Sequence, residues 1–116
     1  MTIKELQEKS HKIAVEKGFW GNVAKELGVD SSLKERRNLG ELLMLIVSEL
    51  GEALEALRKG KRQDGKWTKD SFEDELADAM IRIGDLAESE GIDLEWQIEK
   101  KMEYNKSRPE KHGKKF

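Results

Sequence analysis

Two nearly matching hexapeptides, Glu49-Leu-Gly-Glu-Ala-Leu54 and Glu75-Leu-Ala-Asp-Ala-Met80, constrain this chain more than any other feature. Each sets two carboxylates three residues apart among apolar residues, and on a helix such a pair has its Cβ atoms roughly 5–6 Å apart on one face. In the first segment Leu39, Leu43, Ile46, Leu50, Ala53 and Leu57 make a stripe with helical spacing, read here as core. Leu42, Leu45, Glu49, Glu52 and Ala56 form a second lane beside it, so the acids interrupt an apolar lane. Phe72, Leu76, Ala79, Met80, Ile83 and Ala87 repeat the stripe in the second segment. Glu75 and Asp78 lie about 100° and 160° to one side of Leu76, as Glu49 and Glu52 do from Leu50.

Since 40% of the chain is charged, acids spaced in this way also arise on solvated helices. The repeated phase argues instead for two facing pairs and a four-carboxylate cluster. Two carboxylates ~5 Å apart repel by roughly 3 kcal/mol at an effective dielectric of 20, and a bound cation reverses that balance. An all-oxygen ligand set selects Mg²⁺, Mn²⁺ or Ca²⁺. Zinc is disfavoured by zero cysteine and only two histidines.

The rest of the sequence reads as an all-α chain of 116 residues forming one domain, 1–116, with a basic tail over 106–116. The pattern predicts a bundle of about four helices. The first spans about 2–17, and 18–29 is an irregular or short helical link. The second covers 32–60, opened by a Ser32/Glu35 capping box and closed by Gly60. A polar basic loop over 61–69 follows. The third helix starts after Asp70 or Ser71 and ends at Gly91, and the fourth, opened by Asp93, reaches about Asn105. A net charge of −2 gives no general drive toward nucleic acid or an anionic membrane. No apolar run approaches the ~20 residues of a membrane span, and the absence of cysteine fits a reducing interior. A cytoplasmic protein is expected.

The ExxE motif Glu49-x-x-Glu52, followed after a spacer by the ExxD motif Glu75-x-x-Asp78, resembles the hallmark of the MazG-like branch of the all-α NTP pyrophosphohydrolases. The tail, with Lys101, Asn105, Arg108 and Pro109, is similar to that family's Lys-x3-Asn-x2-Arg-Pro stretch. The resemblance covers most of the chain from the second helix onward. It implies hydrolysis of a (d)NTP to the (d)NMP and pyrophosphate, with Mg²⁺ (Mn²⁺ substituting) on Glu49, Glu52, Glu75 and Asp78. It also implies a homodimer or a dimer of dimers, and Ile81, off the core stripe, is where a partner copy could cover the chain.

Glu49 or Glu52 could instead orient or deprotonate the attacking water, which makes both candidate catalytic residues. Lys101, Asn105 and Arg108 share a helix face if the fourth helix reaches that far, and would then hold the phosphate tail, Arg108 as a bidentate fork. On spacing alone a solvated basic helix end is the better reading, and the resemblance reverses that order. Phe19 and Trp20 could stack a nucleobase or plug the bundle end. His11 reads as a surface or packed histidine, and Trp67 and Trp96 as packing or oligomer contacts. Lys61, Arg62 and Lys66 could meet phosphate, or belong to a mobile polar loop. The competing functional reading is a metal-stabilised helical regulatory or interaction protein without turnover; a nucleic-acid module comes third.

Overall fold

The computed structural model describes residues 1–28 and 37–116. Among these, every regular element is helical: α1 (Ile3–Glu16), α2 (Asn22–Leu27), α3 (Leu39–Arg58), α4 (Phe72–Ser89) and α5 (Leu94–Lys106), then a 3₁₀ turn at Glu110–Gly113. No helix among them is long and apolar enough to cross a membrane.

The helix ends follow local chemistry. Thr2 and Glu5 form a reciprocal capping box at α1. Ser71 accepts from the Asp74 amide at the head of α4, and Asp93 accepts from the Trp96 amide at α5. Gly60 and Gly91 take left-handed backbone just past α3 and α4, the conformation that glycine tolerates best. The helix expected from Ser32 instead begins at Leu39. Asn38 is extended there, and its side chain caps the Glu41 amide. The Ser32/Glu35 capping box lies outside the described residues.

Helix α4 is central and packs on both α1 and α3. Its approach to α1 is close at Gly84, where an added Cβ would stand 3.3 Å from Leu6 Cγ and from Ser10 Oγ. The buried Gln7 ties α1 to the turn between α4 and α5. Its amide donates to the Ile92 carbonyl at 2.8 Å, and its own oxygen accepts from the Leu94 amide at 3.0 Å. Val15, Trp20, Ala24 and Leu42 form the buried apolar cluster.

The stripe read as core is only partly so. Ala53, Ala79 and Ala87 are buried, but Leu39, Leu43, Leu50, Leu57, Leu76 and Met80 are exposed, Leu43 by 54%. Turned inward are Leu42, Glu49 and Ala56 of the neighbouring lane, together with Glu75. The alanines are the physical reason. Small side chains let α3 and α4 approach across Ala53, Ala56 and Ala79, which turns the bulky apolar residues outward. Among the described residues, that face is left exposed.

Candidate metal centre

The inward lane carries acids from both helices to one place. Glu49 and Glu52 on α3 and Glu75 on α4 each offer a carboxylate oxygen, all within 4.8 Å of one another. Glu49 is 8% and Glu75 4% exposed. Glu49 Oε2 and Glu75 Oε2 are fully buried and have no hydrogen-bond donor among the described residues. A buried carboxylate oxygen without a donor costs free energy on the order of 1–3 kcal/mol or more. Burial, reinforced by proton sharing with Glu52 and the charge of that carboxylate, pushes the Glu75 carboxyl up to about 7. Asp78 is not within this close group. It borders the same cavity as Glu49, and its pKa is raised by burial first and then by the charges of Glu49 and Asp74, with Arg82 opposing.

A cavity of about 480 Å³ opens beside Glu49 and Asp78, bordered also by Phe19, Arg37, Arg82 and Asp85. A volume of this size accommodates a small organic ligand. A second cavity, of about 350 Å³, borders Glu52 and Glu75 and is rimmed by Lys59 and Lys61. The acid cluster therefore separates a larger, apolar-walled cleft from a smaller polar one.

Trp20 does not face the larger cleft. It is 4% exposed, its indole N–H donates to Asp85 Oδ1 at 2.9 Å, and its ring meets His11 edge-on. His11 Nδ1 lies 2.7 Å from the same Asp85 oxygen, a hydrogen bond in which the imidazole donates to the carboxylate. Trp20 is thus a core plug, and Phe19 is the aromatic residue that borders the cleft. Ile81, expected under a partner copy, is exposed and borders this cleft as well.

The tail set is not brought to the acids. Lys101, Asn105 and Arg108 border neither cavity. Lys101 and Arg108 both lie over the Tyr104 ring, and α5 contains no buried residue. The 61–69 loop is pinned rather than detached. Arg62 pairs with Glu73 at 2.8 Å, the Gln63 amide donates to Glu73 Oε2, and Trp67 donates to Asp74. The Arg62 hydrogen bond first, then the Gln63 amide, hold the Glu73 carboxyl down to about 2. The Trp67 and Trp96 rings are exposed. Glu55 and Lys59 form the ion pair that their spacing predicts, at 3.4 Å.

Sequence reasoning missed Arg82 and Asp85. Both continue the acid lane of α4, since 75, 78, 82 and 85 advance by three, four and three residues and so stay on one face. Arg82 donates Nε–H to Glu49 Oε1 at 2.8 Å. The signal was present as charge persisting along an inward lane, but its partner lies 33 residues away in sequence. Searches against family models, curated proteins and solved structures find no match to this chain.

Proposed function

We propose that Glu49, Glu52 and Glu75, with Asp78 at the edge, hold a divalent cation, Mg²⁺ with Mn²⁺ able to substitute. We further propose that the chain is a MazG-like nucleoside triphosphate pyrophosphohydrolase. The observation that carries this reading is the pair of buried, donorless oxygens on Glu49 and Glu75. Three converging carboxylates with no donor for two of their oxygens are a poor structural motif and a good hard-cation ligand set. A bound cation would supply Lewis acidity toward phosphate oxygens and lower the pKa of a water.

The chain's own residues supply the rest. The cleft bordered by Phe19 and Ile81 suits a nucleoside, and the adjoining acids suit the point where its phosphates begin. Lys59 and Lys61, on the far side of the cluster, can receive the negative charge of a departing pyrophosphate. Glu52, the exposed member of the close group, is the acid best placed to orient a water from solvent. The reaction is (d)NTP + H₂O → (d)NMP + PPi. A second copy of the chain is the occupant this reading assigns to the outward face of Leu39, Leu43, Leu50 and Leu54. A homodimer or homotetramer would also give the Lys101, Asn105 and Arg108 set a neighbouring site to serve. A cytoplasmic setting accords with the cysteine-free sequence.

The test is direct. Purified protein is incubated with Mg²⁺ and a panel of NTPs and dNTPs, and monophosphate and pyrophosphate are quantified. The expected result is equimolar release of both, abolished by EDTA and by Glu75→Gln. Cation binding without turnover of any nucleotide would favour the metal-stabilised, non-enzymatic reading.

A further inference from the structure

Arg82 stands one turn beyond Asp78 on α4, and its guanidinium reaches across to Glu49 on α3. The Nε–H to Oε1 distance is 2.8 Å, and the side chains are 35% and 10% exposed. This pair does what a cation would otherwise do for Glu49: it offsets one buried negative charge. It does so incompletely, because Glu49 Oε2 is left without a donor. A guanidinium carries five N–H groups in a fixed fork, and the hydrogen bond to Glu49 uses only Nε. Arg82 also borders the larger cavity together with Arg37 and Lys9. The same side chain therefore sits between an acid of the cluster and the space where a ligand would lie.

Resting on the reading that the acids hold a cation, the geometry points to Arg82 as a partner-switching residue. It neutralises Glu49 in the cation-free protein. It then passes to an anionic oxygen of a phosphate-bearing ligand in the adjoining cavity when a cation takes the carboxylate. A divalent ion and a guanidinium compete for the charge of Glu49, since two cations held on one carboxylate repel one another. Cation affinity is therefore held down by Arg82 until a phosphate oxygen offers the guanidinium a new partner. Cation and phosphate ligand then bind cooperatively, each raising the affinity of the other by the same factor. Arg82 is on this account a positioning residue, acting through Glu49.

A purely structural ion pair makes the opposite prediction, because losing it would loosen the site and weaken cation binding. Calorimetric titration of Mn²⁺ into wild type, Arg82→Gln and Arg82→Lys separates the two, with Glu49→Gln/Glu75→Gln as control. Glutamine can still donate a hydrogen bond to Glu49 without the charge. Arg82→Gln is expected to bind Mn²⁺ about ten- to hundredfold more tightly than wild type, the scale of one lost charge-assisted hydrogen bond. Arg82→Lys should fall between. Inorganic pyrophosphate should strengthen Mn²⁺ binding more in wild type than in Arg82→Gln.

Nitrogen-15 NMR of the wild type checks the switch without any variant. The Arg82 Nε–H signal should be protected from exchange in EDTA and should shift and lose protection at saturating Mg²⁺. Unchanged or weaker Mn²⁺ binding in Arg82→Gln, or an Nε–H signal unmoved by saturating Mg²⁺, would overturn the switch and leave the cation site standing. Wild type that binds no more Mn²⁺ than the Glu49→Gln/Glu75→Gln control would overturn both.

Discussion

Trp20 and Asp85 are joined by a 2.9 Å hydrogen bond from the buried indole N–H to a carboxylate oxygen that also meets His11. This one acceptor fastens the segment after α1 to the middle of α4, and so fixes one wall of the larger cleft. Asp85→Ala would leave the indole donor buried and unpaired. It should cost about 1–3 kcal/mol, read as a lower midpoint in urea unfolding. Asp85→Asn keeps an acceptor and should recover much of that loss.

Glu75 makes stability depend on pH in the metal-free protein. Its carboxyl is pushed up to about 7 from an ordinary 4.5, so between those values the folded chain holds a proton that the unfolded chain has released. Stability then falls as pH rises. The contribution is fully present below about 4.5 and lost above about 7. In EDTA, Tm should decline between pH 5 and pH 8, and Glu75→Gln should flatten the decline. Glu73, held near 2, has the opposite sign but titrates below this window. Differential scanning calorimetry at constant ionic strength measures both slopes.

Gly84 is required by packing rather than by backbone conformation. A Cβ there would press on Leu6 and Ser10 at 3.3 Å. Gly84→Val should destabilise by about 1–3 kcal/mol through overpacking between α1 and α4. Gly84→Ala should cost less, because helix propensity returns up to about 1 kcal/mol. Chemical denaturation of the two variants side by side gives the comparison.

Lys101 and Arg108 carry a separate prediction. If they hold phosphate, Arg108→Ala and Lys101→Ala should each lower kcat/KM by about ten- to hundredfold while leaving Mn²⁺ affinity unchanged, the scale of one charge-assisted hydrogen bond. Wild-type kinetics in both would reduce the set to a solvated helix end stacked on Tyr104.

Much of the local structure was legible in sequence. Ser71, Asp93, Gly60 and Gly91 mark helix ends because capping is a short-range effect. The convergence of Glu49, Glu52 and Glu75 followed from the shared phase of two motifs. What misled was the choice between two adjacent apolar lanes on α3. One carries Leu39, Leu43, Leu50 and Leu57, which are exposed, and the other holds the two acids with Leu42, Leu45 and Ala56, of which Leu42, Glu49 and Ala56 turn inward. The start of α3 at Leu39 rests on Asn38 as cap, whereas the Ser32/Glu35 spacing pointed to an earlier start. Trp20, beside Gly18 and Gly21, suits either a stacking surface or a bundle plug by sequence, and its burial makes it the plug. Its burial depends on Asp85, 65 residues away, and no local pattern reports such a contact. The Arg82–Glu49 pair was hidden for the same reason.

The position of a bound manganese ion decides whether the acid cluster is a cation centre serving a nucleotide. The most direct measurement is an anomalous difference map from crystals grown with Mn²⁺ and a non-hydrolysable dNTP. A manganese peak is expected within about 2–2.5 Å of carboxylate oxygens from Glu49, Glu52 and Glu75, with the nucleoside in the cleft beside Phe19. A map with manganese only on exposed carboxylates such as Glu55 or Asp70, and none among Glu49, Glu52 and Glu75, would contradict it.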